Sequence, residues 1–187
     1  MTMSRRLRFR NRDDRESQAL REWHADLVQQ YRRGDRARLR RARTIEDAAL
    51  EPAFHRLLRR LGLSPAGDGE ERRAEPADLS ALAAVAAVAA MAGRDAELAL
   101  GTHLGRPKPG SSAAPVSEAR FRRLLAAGEL EHRFDVLRRI LPLLGGGSDA
   151  AADLVELAGV LCDWTAWRRR QLAYDYYAVA PQQKEIA

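Results

Sequence analysis

The chain has 187 residues, a net charge of +6 and a pI of about 10.2, which is long enough to bury a core without disulfides and short enough for one domain or two small lobes. Its single cysteine, Cys162, excludes an internal disulfide framework and a cysteine-based zinc site, and fits a cytoplasmic setting. The basic balance favours anionic partners and is carried by arginine, since Lys108 and Lys184 are the only lysines. A planar guanidinium grips two phosphate oxygens at once. A GC-rich genome would enrich arginine and alanine together, so the placement of the arginines says more than their number.

Residues 1–16 form a basic arm, expected to be disordered, that could follow a nucleic-acid backbone or simply aid solubility. The run Arg5-Arg6-Leu7-Arg8-Phe9 hints at a twin-arginine signal, but Arg10-Asn11-Arg12-Asp13-Asp14 follows where an apolar region would be needed. An N-terminal helical lobe is expected over 17–98. Leu20, Trp23, Leu27 and Tyr31 make a helical stripe that Gly34 ends. Asp35 then caps a short helix in which Arg36, Arg38, Arg40, Arg41 and Arg43 surround a single buried Leu39. These arginines repel one another unless anions balance them, which argues for a function. Thr44 and Asp47 mark a further helix start, and Pro52 another. The latter carries Phe54, Leu57, Leu58 and Leu61 and is stopped by Gly62. Residues 64–76 read as a loop. Asp78 caps an alanine-rich helix running to 92, too short for a bilayer, which takes roughly 20 residues, and suited to the centre of a bundle.

Residues 99–116, with Gly101, Gly105, Pro107, Pro109 and Gly110, read as a loop or linker between lobes. A C-terminal helical lobe is expected over 117–180. It opens with two amphipathic helices joined at Gly128. Phe121, Leu124 and Leu125 line the first stripe, and Leu130, Phe134, Leu137 and Leu141 the second. Arg123 and Arg139 point away from these stripes, while Arg120, Arg122 and Arg138 flank them. Gly145-Gly146-Gly147 reads as a flexible joint, and Ser148 or Asp149 as the cap of the last helical region. Leu154, Leu157, Leu161 and Trp164 form its stripe. Trp167, Leu172, Tyr176 and Tyr177 continue it, interrupted by Arg168-Arg169-Arg170. No β-alternation and no internal repeat is visible, so the fold class is all-α, a helical bundle of two small lobes.

No catalytic constellation stands out. His24, His55, His103 and His132 lack metal-ligand spacing, no serine or cysteine lies in a nucleophile motif, and no cofactor is expected. Glu131 and Asp135 share a helix face, and Asp135 stands four residues before Arg139, the spacing of an ion pair. Residues 145–147 lack the lysine of a phosphate loop. Trp23 and Trp164 belong to the core, whereas Trp167 beside Arg168 is the best candidate for stacking or an interface.

Taken together, the segments LREWHADL, GDRARLRR, EPAFHRLL, PVSEARFRRLL, VLRRILPLL and LCDWTAWRRRQLAYDYY resemble, in order and spacing, the small subunit of the type I-E CRISPR Cascade complex, the CasB family. The resemblance runs from about Leu20 to Tyr177. It implies an all-helical, non-catalytic subunit, present as two copies head to tail, that contacts the backbone and large subunits. It also implies a role in holding the crRNA–target duplex and the displaced non-target DNA strand. Specificity then lies in base pairing, and the subunit needs only a sequence-blind positive surface. The match places basic residues at Arg40, Arg41, Arg120, Arg123, Arg138, Arg139, Arg168 and Arg169, expected as phosphate contacts. Two other readings are a helix-turn-helix regulator, which would want base-reading amides that these helices hardly offer, and a protein-interaction bundle with solvated arginines.

Overall fold

In the computed structural model, which describes residues 7–66, 72–145 and 150–181, the apolar stripes become helices packed around one alanine-rich rod. Helix α1 (Arg15–Leu27) buries Leu20, Trp23 and Leu27. It stops at Leu27, short of Gly34. A 3₁₀ turn, Gln30–Arg32, follows, and Tyr31, expected on the stripe, is 72 % exposed. Helix α2 (Arg33–Arg41) starts before Gly34, so Asp35 lies in its first turn instead of capping it. The Asp35 carboxylate binds Arg38 and Arg56. Leu39 is the one buried residue of α2, as the pattern predicts.

Helix α3 (Ile45–Ala49) has the expected capping box, the Thr44 hydroxyl accepting from Asp47 N–H at 3.0 Å and the Asp47 carboxylate accepting from Thr44 N–H at 3.1 Å. Helix α4 (Pro52–Arg60) opens on Pro52 and buries Phe54, Leu57 and Leu58. Gly62, at φ +65°, turns the chain out of it. The segment expected as a loop carries a short parallel pair, β1 (Leu63–Ser64) and β2 (Arg72–Arg73).

Helix α5 (Pro76–Ala89) begins at Pro76, so Asp78 sits in its first turn. Every residue over 81–90 is buried. Small side chains all round let neighbours approach from several sides, and α5 is packed by α3, α4 and two later helices. Strand β3 (Arg94–Asp95) comes next, then α6 (Leu100–Gly105), a helix inside the expected linker. Helices α7 (Glu118–Ala126) and α8 (Leu130–Ile140) form the predicted pair around Gly128. Strand β4 (Ala151–Ala152) pairs in parallel with β3. Residues 146–149, and with them most of the proposed joint and cap, lie outside the described residues. Helix α9 (Leu154–Cys162) is capped by Asp153, whose Oδ1 accepts from the N–H groups of Val155 and Glu156 at 2.9 Å. Helix α10 (Ala166–Tyr177) is capped by Thr165. The structure is thus all-α, its strands among the described residues being four two-residue segments.

Two expectations need correction. First, the described part of the supposed disordered arm is built into the fold. Leu7 and Phe9 are buried, and Arg12 pairs with Asp95 and, at 2.9 Å, with Asp153. Two apolar residues among arginines make too short a stripe to register as core. Second, residues 99–116 do not separate two lobes. One apolar core runs continuously from Leu7 to Tyr176. Gly101 and Gly105 let α6 lie directly on α10, since a Cβ at either position would collide with the backbone at Leu172 or Tyr176. The Tyr176 ring in turn stacks on Phe121 at 3.8 Å, and its hydroxyl donates to Val116 O at 2.8 Å. The glycines that suggest a loop are contact surfaces. Among the described residues no helix is long and apolar enough to cross a membrane.

Candidate nucleic-acid interface

Arg40 and Arg41 end α2, and Arg43 follows them; all three are exposed, and none forms an ion pair among the described residues. The other arginines of this segment are engaged. Arg36 turns inward, its guanidinium donating to Ala90 O at 2.9 Å and Ala92 O at 3.0 Å. Arg38 holds Glu51 at 3.0 Å and also binds Asp35. The dense charge read from the sequence is therefore partly neutralised within the chain.

Helix α8 meets the end of α2 through Arg138. Its guanidinium donates to Ala42 O and, at 3.4 Å, to Arg40 O, and lies over the Phe134 ring at 5.3 Å. The last carbonyls of a helix have no partner within it and carry the negative end of its dipole, so a guanidinium is well matched to them. Burial draws the Arg138 pKa down, opposed by the charges of Asp135 and Asp47. Arg138 is half-buried and acts as a brace. Its neighbour Arg139 is exposed, and the expected Asp135–Arg139 pair does not form among the described residues. The brace joins residues 98 apart in sequence, which sets Arg40, Arg41 and Arg139 at one corner of the molecule.

On α7, Arg120 and Arg123 are exposed, while Arg122 lies 3.8 Å from Glu118. On α10, Arg169 and Arg170 are exposed. Arg168, expected as a phosphate contact, is instead engaged within the fold. It is 9 % exposed, its Nη2 donates to Phe9 O at 2.9 Å and its Nε to Asp163 O at 3.2 Å. It lies so close to Gly159 that a Cβ there would overlap the guanidinium. Burial lowers its pKa against the attraction of Asp163 and Glu156. The missing signal was long-range: Phe9 lies 159 residues away.

The tryptophans divide as expected. Trp23 is buried and donates to Ala53 O at 2.9 Å, and Trp164 packs against the core with Arg133 over its ring at 5.7 Å. Trp167 is 61 % exposed. Arg8 and Arg10, which the sequence reading left in a disordered arm, are exposed beside it and line one pocket with it. Among the described residues no group of three or more His, Cys, Asp or Glu side chains is placed to hold a metal ion.

No curated protein matches the chain. A solved structure similar in fold is a chain from the crystal structure of E. coli Cascade bound to a PAM-containing double-stranded DNA target. It is 23 % identical, with a TM-score of 0.57 over 86 % of this chain and 93 % of that one. The family model for CRISPR-associated protein Cse2 matches residues 35–177, a span that holds most of α2, all of α3 through α10 and every arginine of the α2–α8 corner. The chain belongs to the Cse2 family, the CasB small subunits.

Proposed function

We propose that the chain is the non-catalytic small subunit of a type I-E Cascade complex, acting in the cytoplasm. It binds nucleic-acid backbone without sequence preference, and so stabilises crRNA–target pairing and the displaced DNA strand. Its partners are the guide RNA, both DNA strands, the backbone and large subunits, and a second copy of itself. The observation that carries the reading is the corner where Arg138 ties α8 to α2 and leaves Arg40, Arg41 and Arg139 facing solvent. Arg120, Arg123 and Arg169 extend the set of exposed cations. Exchanging a DNA duplex for a guide–target duplex is nearly balanced in free energy, so a few phosphate contacts tip it. Arginines spread over several helices, none of them a lone reading head, suit a backbone track better than base recognition.

The test is target-DNA binding by reconstituted complexes across a salt series. Arg40→Ala/Arg41→Ala should weaken binding and flatten the log–log salt dependence by about 0.7 to 0.9 for each phosphate released. Assembly should be unchanged, because both side chains are exposed. Wild-type binding at every salt concentration would overturn the assignment.

A further inference from the structure

One cavity has an exposed aromatic wall and shares no lining residue with the α2–α8 corner. Arg8, Arg10, Asp163, Thr165, Trp167 and Arg168 line a pocket of about 450 Å³ between the N-terminal segment and the start of α10. That is within the size range of small-ligand sites. Its floor is fixed, since Arg168 is clamped between Phe9 O and Asp163 O. Asp163, the one acid in the lining, stands 3.9 Å from Arg168, which offsets its charge. Trp167 is mostly exposed, and Arg8 and Arg10, also exposed, line the same pocket.

A rigid pocket with one aromatic face and flexible guanidinium groups around it matches an unpaired nucleotide: the base stacks on the indole and the phosphate meets arginine. The exposed face of α10 continues in the same chemistry. Tyr174, 66 % exposed, follows Trp167 by seven residues and so shares its face, roughly 10 Å further along the axis. Arg170, also exposed, lies between them on the flank of that face. A protein partner would also use tryptophan and tyrosine, but the surrounding charge is positive, which favours a polyanion.

We propose that this pocket receives an unpaired nucleotide of single-stranded nucleic acid, with its base on Trp167, its phosphate on Arg8 and Arg10, and the next bases running toward Tyr174. It rests on the Cascade reading only for which strand it holds, the displaced DNA being the natural occupant. The site lies partly outside the stretch matched by the family model, because Arg8 and Arg10 precede residue 35.

The free full-length chain is titrated with labelled oligothymidylate and with an abasic oligonucleotide of equal length. Wild type should prefer the base-bearing probe. Trp167→Ala should lose about tenfold in affinity for it and nothing for the abasic one, while Trp167→Phe stays within about threefold of wild type. Arg8→Ala/Arg10→Ala should weaken both probes. The proposal is overturned if Trp167→Ala binds both probes as wild type does, if it loses both equally, or if wild type does not distinguish them. It is also overturned if Trp167→Ala leaves the probes unaffected and prevents complex assembly, because the face then meets protein. A null result for Arg40→Ala/Arg41→Ala in target binding would count against the α2–α8 corner as a phosphate track and leave the pocket standing.

Discussion

The arginines of the α2–α8 corner and those at the start of α10 follow the same plan with different depth. In each place one arginine turns inward and its sequence neighbour turns out: Arg138 beside Arg139, and Arg168 beside Arg169. The inward ones bind main-chain carbonyls at helix ends. Arg138 reaches the end of α2, Arg168 the residue after α9, Arg133 Leu161 O near the end of α9, and Arg36 the carbonyls after α5. Four of the chain's cations thus serve as C-terminal caps for other helices. The difference is burial. Arg138 keeps contact with water, whereas Arg168 is enclosed between the N-terminal segment and Gly159. The same residue type is a brace in one place and a core component in the other.

The largest effect should come from Arg168. Removing it strands the carbonyl of Phe9, leaves Asp163 O with the Thr165 N–H alone, and opens a void over Gly159, so Arg168→Ala should destabilise the fold by about 3 kcal/mol, read by chemical denaturation. Gly159→Ala pushes on the same guanidinium, and the double variant should lose clearly less than the sum of the two. Full additivity would mean the two sites are independent and the enclosure unimportant. Arg138→Ala should cost about 1 kcal/mol, because water can reach the freed carbonyls, and Arg139→Ala close to nothing. Equal losses at Arg138 and Arg168 would erase the contrast.

A smaller effect concerns the capped end of α5. His24 Nε2 bonds Ala92 O at 3.1 Å, the carbonyl that Arg36 also holds. Burial, with the Arg36 charge adding to it, holds the His24 pKa below its ordinary value of 6.5. The unfolded chain therefore takes up the proton first, and stability should fall as pH drops below about 6.5, levelling off below the folded-state pKa. Burial holds Glu156 and Asp153 above the usual carboxylate range, and their pH dependence runs the other way. The His24 contribution is isolated by comparing wild type with His24→Gln, which should be flatter between pH 7 and 5.

What could be read in the sequence was what depends on neighbours three or four residues away. The stripes of α4, α7, α8 and α9, the Thr44–Asp47 box and the central place of the alanine-rich helix are of that kind. The same geometry turned Arg123 and Arg139 away from the apolar stripes and set Arg40 and Arg41 around Leu39, and all four are exposed. Tyr31 was misplaced because the stripe continues in sequence after the helix has ended. The burial of Arg168 was not legible because a basic triplet looks the same whichever member points inward; the inward turn depends on Gly159 of α9, which leaves room for the guanidinium, and on Phe9 O. Leu7 and Phe9, and the helix at residues 100–105, depend wholly on partners distant in the chain.

The clamp formed by residues 7–12 also orders events during synthesis. Phe9 and Arg12 leave the ribosome well before their partners Asp95, Asp153 and Arg168. The segment has nothing to close against until Asp95, Asp153 and Arg168 have been made, so it is translated before its partners and locks only after them. Loop closure over such a separation is slow, and an unclosed basic strand bearing Leu7 and Phe9 is exposed to proteases and to stray polyanions in the meantime.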